Sequence, residues 1–221
     1  MRNHIKSVAY LLIGVFVSAA SCVATAGAYE DFFKAILFDN VRGVEQLLAS
    51  GFDVNSQDEK GQNGLYLSMR EGSFKVAAVL LKQAQLKPDQ ANAAGETALM
   101  MAALKGHADW LQPLLDRGAR VDGAGGAGGK AWTALHYACS GPQAGTVQAL
   151  LARGADRNAR SPNGSTPLMM AARYGTEDQV DLLLKAGADR QLRNDLGLSA
   201  ADFARQAGRD TLAERLQPAA R

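Results

Sequence analysis

The chain has 221 residues, of which 47% are hydrophobic and only 6% are aromatic. This length suits one domain or a short array of repeats, and the low aromatic share favours contacts between small side chains over a core built on large rings. The 24 basic and 22 acidic residues nearly cancel, so the composition gives no strong field of the kind that draws a protein to nucleic acid.

The N-terminal segment, residues 1–26, is predicted to be a secretory signal. Arg2 and Lys6 give it a basic start, the apolar stretch VAYLLIGVFVSAA follows, and small residues then offer cleavage after Ala26 or Ala28. Removal of the segment would leave a formally neutral chain, which argues further against a nucleic-acid role. We therefore expect export, which in a bacterium leads to the periplasm.

Two other interpretations of this segment compete with cleavage. Cys22 follows Ala-Ala-Ser and could be lipidated, which would make an anchored lipoprotein, although Ala19 stands where such sites usually have leucine. An uncleaved membrane anchor needs about 20 apolar residues, and Ser18, Ser21 and Thr25 interrupt this stretch.

Beyond the signal, three sequence markers share one period of roughly 33 to 36 residues. They are the Leu-Leu pairs at 47–48, 80–81, 114–115, 150–151 and 183–184, the hydroxyl residues Thr97, Thr133, Thr166 and Ser199, and the Gly-Ala pairs at 118–119, 154–155 and 187–188. Three markers in phase indicate a repeat array.

The stretch Gly164–Arg190 shows what one unit does physically. Thr166 can cap a first helix, and Pro167 occupies the first helical position, where its missing N–H costs nothing. Apolar residues around Leu183 recur at i, i+3 and i+4, which predicts a second helix, and Gly187 can close that helix in the left-handed conformation. Neither helix is long enough to be stable alone, so each pair must stack on its neighbours.

These units resemble ankyrin repeats. The resemblance is carried by ETALMMAALKGH (96–107), TALHYA (133–138), LLARGADRNA (150–159), STPLMMAA (165–172) and LLLKAGADR (182–190), and it covers roughly residues 28–217. It implies an all-α solenoid of stacked helix-turn-helix units with hairpin fingers. The predicted organisation is a signal peptide (1–26), an N-terminal capping unit (27–57), a degenerate repeat with Asn-Gly-Leu-Tyr in place of Thr-Pro-Leu-His (58–91), three repeats (92–127, 128–160 and 161–193) and a C-terminal capping unit (194–221).

Some positions depart from the family pattern. Residues 140–145 replace a simple Gly-His turn, so we expect a distorted loop between two helices there. Pro113 falls within a second helix and should kink it or make it start late. The polar residues Arg205, Arg209, Glu214 and Arg215 are expected on an outer face of the last unit, where they would stop further stacking.

Residues 123–130 read GAGGAGGK and raise the question of a phosphate-binding loop. A dinucleotide loop should follow a buried strand and open a long helix, and the flanking units provide neither. The phosphate-loop pattern also fails, because Ala124 stands at its first glycine position and Ala131 at its Ser/Thr position. We predict no nucleotide binding and interpret the stretch as a flexible, elongated finger.

No catalytic, metal or cofactor site is predicted from the remaining residues. His107 and His136 lie in different units at positions of the family pattern, and His136 is expected to brace neighbouring fingers through hydrogen bonds. Cys139 lies three residues after His136, but TALHYAC explains both residues as structure rather than as a nucleophile pair. Without Cys22, Cys139 has no partner for a disulfide and is expected to be a small buried hydrophobe.

The resemblance implies a protein-binding face built from the fingers and the first helices. Carried over position by position, its candidate residues are Glu59, Lys60, Gln62, Arg70, Glu71, Glu96, Lys105, Trp132, Asn163, Ser165, Arg173 and Tyr174. Trp132, Arg173 and Tyr174 are the favoured candidates, because Trp, Tyr and Arg dominate binding hot spots.

The resemblance further implies a non-catalytic exported scaffold that binds a protein partner through this face, protecting, assisting or inhibiting a periplasmic enzyme. Two alternatives stay open: a lipid-anchored envelope component tethered through Cys22, and an immunity-type inhibitor of a toxic effector. We expect a monomer that binds another protein, and neither nucleic acid nor nucleotide, with membrane contact only if Cys22 is lipidated.

Overall fold

The computed structural model describes residues 19–123 and 129–217, with side chains from residue 27 onward. The described residues contain no β-strand, only an isolated antiparallel bridge between Gln57 and Asn63. Their helices are α1 (Ala19–Leu37), α2 (Val41–Ala49), α3 (Gly64–Glu71), α4 (Phe74–Leu81), α5 (Ala98–Lys105), α6 (Ala108–Asp116), α7 (Ala134–Ala138), α8 (Ala144–Ala152), α9 (Pro167–Tyr174), α10 (Glu177–Lys185), α11 (Ala200–Gln206) and α12 (Asp210–Leu216).

The helices form pairs that stack into two layers. The odd-numbered helices form the inner layer, in which α1 contacts α3, α3 contacts α5, α5 contacts α7, and α9 contacts α11. The even-numbered helices form the outer layer, in which α2 contacts α4, and α8 contacts both α6 and α10. This is the predicted all-α solenoid, with one helix pair in each predicted unit. The first pair differs, because α1 begins at Ala19, upstream of the predicted boundary at residue 27.

One continuous hydrophobic core runs between the layers. Each repeat contributes the same two leucine positions to it, one from an inner helix and one from an outer helix. The inner leucines are Leu65, Leu99, Leu135 and Leu168, the outer leucines are Leu80, Leu114, Leu150 and Leu183, and all are at most 1% exposed. Because short helices are marginal in isolation, this repeated burial is what makes each helix stable.

Side-chain caps set the starts of the inner helices. The side chain of Asn63 accepts a hydrogen bond from the N–H of Tyr66, and Thr166 accepts one from the N–H of Met169. Such caps satisfy backbone donors that have no partner inside the helix. Pro167 follows Thr166 at the first helical position, and Gly187 adopts a φ of 82° after the paired helix, as predicted.

The fingers are tight turns that an Asp or Asn side chain holds in shape. Asp58 Oδ1 accepts hydrogen bonds from the N–H groups two and four residues later, at 2.9 and 2.7 Å. Asn92 and Asn194 repeat this arrangement in their own fingers. Adjacent fingers are joined by backbone hydrogen bonds such as Asp195 N–H to Asn163 O at 3.1 Å. Such bonds join the finger at 58–61 to that at 92–95, and the finger at 161–164 to that at 194–197.

Outer helices begin with side chains that reach back to the preceding unit. His107 Nε2 lies 3.0 Å from the carbonyl oxygen of Met69. Gln179 Nε2 donates to the carbonyls of Ala138 and Gly141. Arg209 Nη1 lies within hydrogen-bond distance of the carbonyls of Ala171, Ala172 and Gly175, at 3.1, 3.0 and 2.9 Å. We call these three interactions the rearward contacts, and they satisfy carbonyls at the ends of inner helices.

Two local expectations are corrected by these elements. Arg209 does not face solvent on an outer cap, because its guanidinium lies against the carbonyls at the end of α9. Of the two effects expected of Pro113, a kink or a late start, the late start is not found, since α6 begins at Ala108 and continues through the exposed Pro113 to Asp116. An irregular loop is present where expected, but it spans 139–143, because α7 ends early, at Ala138, and α8 already begins at Ala144.

Several predictions lie on residues that the structure does not describe. Most of the predicted signal and residues 124–128 of the glycine-rich finger are among them. Among the helices of residues 19–123 and 129–217, none combines the length and apolar character needed to cross a bilayer.

Candidate functional site

A groove of about 330 Å³ lies on the concave face, the side formed by the fingers and the inner helices. We call it the C-terminal groove. It is lined by Trp132, Asn163, Ser165, Met170, Arg173, Tyr174, Asn194, Leu196, Leu198, Phe203 and Gln206. The repeat brings these residues together, because they come from the fingers and inner helices of three successive units.

Two exposed apolar side chains mark this groove. Tyr174, the last residue of α9, is 57% exposed, and Leu196, at the tip of the last finger, is 78% exposed. The guanidinium of Arg173 lies 5.3 Å from the centre of the Tyr174 ring, and Arg173 Nη1 donates to Gln206 Oε1 at 3.2 Å. The groove therefore combines apolar surface with one cation held in place over an aromatic ring.

Trp132 connects this groove to the middle of the concave face. It lies just before the capping residue of α7, and its ring packs edge-on against His136 and Tyr137, at centroid distances of 5.4 and 6.4 Å. The hydroxyl of Tyr137 donates to Glu96 Oε1 at 2.9 Å. An aromatic surface thus runs from the C-terminal groove toward the third unit.

Glu96 is the centre of a second cluster on this face. Its Oε2 accepts hydrogen bonds from the hydroxyl of Tyr66 at 2.7 Å and from Asn92 Nδ2 at 2.8 Å. Burial alone would raise the pKa of the Glu96 carboxyl, but the bonds from Asn92, Tyr66 and Tyr137 outweigh it and lower the pKa. Burial, and then the neighbouring carboxylate, raise the pKa of both tyrosines. The site is therefore an ionised carboxylate held by neutral donors.

The predicted face residues differ in how far they reach solvent. Glu59, Lys60, Glu71, Lys105, Asn163, Arg173 and Tyr174 are exposed, whereas Gln62, Arg70, Glu96 and Trp132 are half-buried. Arg70 donates to Gln62 Oε1 at 2.7 Å and to Glu71 Oε1 at 2.5 Å, so these three residues form one polar patch near the second unit.

The burial of Ser165 differs from its predicted place on the protein-binding face. It is only 1% exposed, and its carbonyl oxygen lies 3.0 Å from His136 Nε2. Ser165 occupies the position just before the capping residue of α9, and Asn194 Nδ2 of the next finger lies 3.5 Å from its hydroxyl oxygen. It therefore contributes to the floor of the groove but offers a partner almost no surface.

The structure also adds residues that the sequence analysis missed. Leu196 is the clearest, because an apolar side chain between Asp195 and Gly197 at a finger tip is a visible departure from a polar turn. Tyr66 and Tyr137 carried no such signal, since each stands among apolar residues of a short inner helix.

His136 and Cys139 are structural, as expected. The Nδ1 atom of His136 lies 2.9 Å from Thr133 Oγ1, and its Nε2 faces the Ser165 carbonyl, so both ring nitrogens have partners. Burial lowers the pKa of His136 to about 4, and it raises the pKa of the Cys139 thiol well above its ordinary value. The part of the chain that the structure describes contains no group of three or more His, Cys, Asp or Glu residues placed to hold a metal ion.

A second groove lies at the other end of the array. It has a volume of about 430 Å³ and is formed between α1 and α2. Its lining includes Phe38, which is 74% exposed, beside Asp31 and Lys34. None of the predicted face residues lines it, so it is a separate surface from the concave face.

Comparison with known proteins identifies the repeat. The family described as ankyrin repeats (3 copies) matches residues 32–124 and 123–194. The chain belongs to the ankyrin-repeat family. The match spans most of the chain and confirms the resemblance carried by TALHYA and STPLMMAA.

In the curated relatives, a similar array is one part of a much longer protein. The chain is 32% identical to the nuclear factor NF-kappa-B p105 subunit of Gallus gallus over 163 residues, covering 72% of this chain and 16% of that protein. It is 37% identical to the neurogenic locus notch homolog protein 1 of Mus musculus over 117 residues, covering 52% of this chain and 4% of that protein. The chain thus spans about a sixth or less of these relatives.

A solved structure matches a larger share of both chains. It is the complex of the Bd0816 predatory endopeptidase from Bdellovibrio bacteriovorus with the immunity protein Bd3460. The similarity has a TM-score of 0.70 and 28% sequence identity, and it covers 85% of this chain and 98% of the matched chain. This ankyrin-repeat chain is therefore similar to an array seen in a complex between an enzyme and its immunity protein.

Proposed function

We propose that this ankyrin-repeat chain is a non-catalytic binding module that grips an enzyme of the cell envelope through the C-terminal groove and holds that enzyme inactive. The observation that carries the proposal is the groove itself, with Tyr174 and Leu196 exposed beside Trp132 and Arg173. Tyr, Trp and Arg dominate the energetics of protein interfaces, and the residues that matter most cluster in pockets that lose their water on binding.

The exposed side chains explain why a protein partner fits this site. Covering apolar surface contributes about 25 cal/mol for each Å² removed from water. Tyr174 and Leu196 both line one groove and offer such surface, and the finger residues Asn163 and Asn194 add amide groups to its lining. A partner loop with an apolar tip could fill the groove while polar residues around the tip contact Asn163 and Gln206.

The similar solved complex supports inhibition over other uses of the face. It joins an endopeptidase to an immunity protein, and the similarity covers 98% of the matched chain. The comparison therefore involves a whole array of this size rather than one shared motif. By analogy, the partner proposed here is an enzyme that would damage the cell producing it.

Export to the periplasm remains part of the proposal, and the packing of α1 is compatible with it. The hydroxyl of Tyr29 donates to the carbonyl of Gln57, and its ring packs on Phe33 with a centroid distance of 4.9 Å. Tyr29 follows both predicted cleavage sites, so cleavage after Ala26 or Ala28 would leave these contacts in place.

Capture of the partner tests the proposed site. The full-length gene is expressed with a C-terminal tag, and the chain is used as bait in an envelope extract. The variant Tyr174→Ala/Leu196→Ser removes the exposed apolar surface of the groove, and the matched control Leu37→Ser/Phe38→Ala removes exposed apolar surface at the other end. We expect the groove variant to weaken capture by roughly tenfold or more, while the control retains it.

The outcomes separate the possible roles. Loss of capture with the control but not with the groove variant would move the site to the α1–α2 groove. A captured enzyme whose activity falls on adding the chain supports inhibition. An enzyme that is equally active or more stable in the complex would contradict inhibition and favour assistance or protection.

Export and lipidation are tested separately. Cell fractionation with mass measurement of the mature N-terminus should give a periplasmic species that starts after Ala26 or Ala28. Incorporation of a labelled fatty acid that Cys22→Ala abolishes would instead establish the anchored lipoprotein.

A further inference from the structure

Glu96 carries a negative charge on the concave face that only neutral groups hold in place. The hydroxyl of Tyr66 and Asn92 Nδ2 donate to Oε2 at 2.7 and 2.8 Å, and the hydroxyl of Tyr137 donates to Oε1 at 2.9 Å. These donors come from three consecutive units, so the carboxylate is fixed by the stacking of the array.

No cation of the described residues neutralises this charge. Among the ion pairs formed within residues 27–123 and 129–217, none involves Glu96. The positive charge of Arg70 acts to lower the pKa of Tyr66, but the Arg70 side chain donates its hydrogen bonds to Gln62 and Glu71 and not to Glu96. Glu96 is half-buried, and at such a site an opposite charge interacts more strongly than it would in open water.

The hydrogen bonds already made restrict which cation can bind. A carboxylate has about four acceptor positions, two on each oxygen. Tyr66 and Asn92 occupy both positions on Oε2, and Tyr137 occupies one position on Oε1. The forked guanidinium of arginine prefers one acceptor on each oxygen, which this site does not offer. A single ammonium group needs only the one position left on Oε1.

The surroundings also suit a lysine side chain. The hydroxyl of Tyr137 bonds the carboxylate, and the Tyr137 ring packs edge-on against Trp132, which lines the C-terminal groove, at a centroid distance of 6.4 Å. Aromatic faces attract ammonium groups, and the methylene stem of lysine packs readily along apolar surface. We propose that Glu96 receives a lysine side chain of the partner protein, which approaches the carboxylate from the side of Tyr137 and Trp132. This inference rests on the proposed function, because it concerns the same concave face.

A small probe tests the site without the partner. The wild-type chain, expressed from its full-length gene, is titrated with N-acetyl-lysine methylamide, with the arginine analogue and with the uncharged norleucine analogue. NMR signals of the rings of Tyr66 and Tyr137 report on binding. We expect a saturable shift with the lysine probe, roughly tenfold weaker binding of the arginine probe, and no response to norleucine.

Three variants test the assignment of the residues. Glu96→Gln keeps the shape but removes the charge, and it should abolish the response to lysine. Glu45→Gln is the control, an exposed glutamate on the outer helix α2, away from the concave face, and it should leave the response unchanged. Tyr66→Phe frees one position on Oε2, so it should narrow the preference for lysine over arginine. Retained folding of each variant is checked by circular dichroism.

The results distinguish this inference from the proposed function. A flat response to the lysine probe, or an equal response from Glu96→Gln, overturns the lysine site while the groove-dependent capture of an enzyme can still hold. If the lysine probe binds but Tyr174→Ala/Leu196→Ser captures the partner as well as the wild-type chain does, the lysine site stands and the C-terminal groove is rejected as the site of partner binding.

Discussion

At the scale of single residues, His136 shows how burial turns an ionisable side chain into a structural one. It is fully buried between Thr133 and the carbonyl of Ser165. Burial disfavours the charged imidazolium and lowers the pKa of His136 to about 4, below the 6.5 of an exposed histidine. The neutral ring is therefore part of the native packing.

This pKa predicts a loss of stability in mild acid. As the pH falls below 6.5, the unfolded chain takes up a proton on His136 before the folded chain does, so the free energy of unfolding decreases until the pH reaches about 4. The gap between the two pKa values corresponds to roughly 3 kcal/mol. Urea unfolding at about pH 7 and about pH 4.5 would measure most of this loss.

A variant isolates the contribution of this histidine. His136→Gln should lower stability at neutral pH but flatten its decrease toward acid. His107→Gln is the comparison, because its pKa is also lowered by burial but the residue is only half-buried. An unchanged slope in His136→Gln would place the acid sensitivity elsewhere.

At the scale of residues, a role that depends on sequence neighbours could be predicted, whereas a role that depends on distant residues could not. The roles of Thr166 and Gly187 could be predicted because a cap and a left-handed glycine are set by neighbouring residues. The burial of Ser165 and the bonds of Glu96 could not, since Glu96 contacts tyrosines 30 and 41 residues away in the sequence. Only the stacking of units brings those side chains together.

At the scale of elements, the starts of the outer helices join one unit to the preceding unit. Arg209 was expected on an outer face because it is charged and lies in the last unit. Its long side chain instead carries the guanidinium back to the carbonyls at the end of α9. Residue type alone does not distinguish a solvated arginine from one that caps a neighbouring helix.

Removing this arginine should therefore destabilise the last unit. Arg209→Ala leaves carbonyls at the end of α9 without a donor, and we expect a loss of about 1–3 kcal/mol. Arg205→Ala is the matched control, because Arg205 pairs with Asp202 at the surface and should change stability by about 0.5 kcal/mol or less. Chemical denaturation of both variants checks the difference, and equal effects would contradict the proposed capping role.

In helix α6, a substitution of Pro113 is expected to stabilise the chain rather than destabilise it. Pro113 is exposed within a continuous helix, where it cannot donate a backbone hydrogen bond. Pro113→Ala should raise the free energy of unfolding by about 1–2 kcal/mol, since the gain in helix propensity exceeds the added entropy of the unfolded chain. A stability at or below that of the parent would show that the proline fits α6 without cost.

At the scale of the whole molecule, the array follows from the period of the sequence. The Leu-Leu pairs and hydroxyl residues predicted the stacked pairs of helices because each marker has a fixed place in a unit. The C-terminal groove could not be predicted in the same way. Trp132, Tyr174 and Leu196 come from three units, and their meeting depends on how those units are offset.

The last unit should be needed for a folded array. Helix α11 packs on α9, and Phe203, Leu212 and Leu216 are buried in the common core. Ending the chain after Arg193 would expose the matching surface of α9 and α10, so we expect a loss of about 3 kcal/mol or more and aggregation. Denaturation and size-exclusion chromatography measure the two effects, and a monomer of unchanged stability would contradict them.

The rearward contacts have counterparts that point the other way. Arg209 donates to a carbonyl of the unit before it, whereas His136 and Arg173 lie against acceptors of the unit after them. Loss of an internal unit therefore removes hydrogen-bond partners from the units on both sides of it. The array should unfold as a cooperative whole, and amide hydrogen exchange would record this as similar opening free energies for the inner helices of neighbouring units.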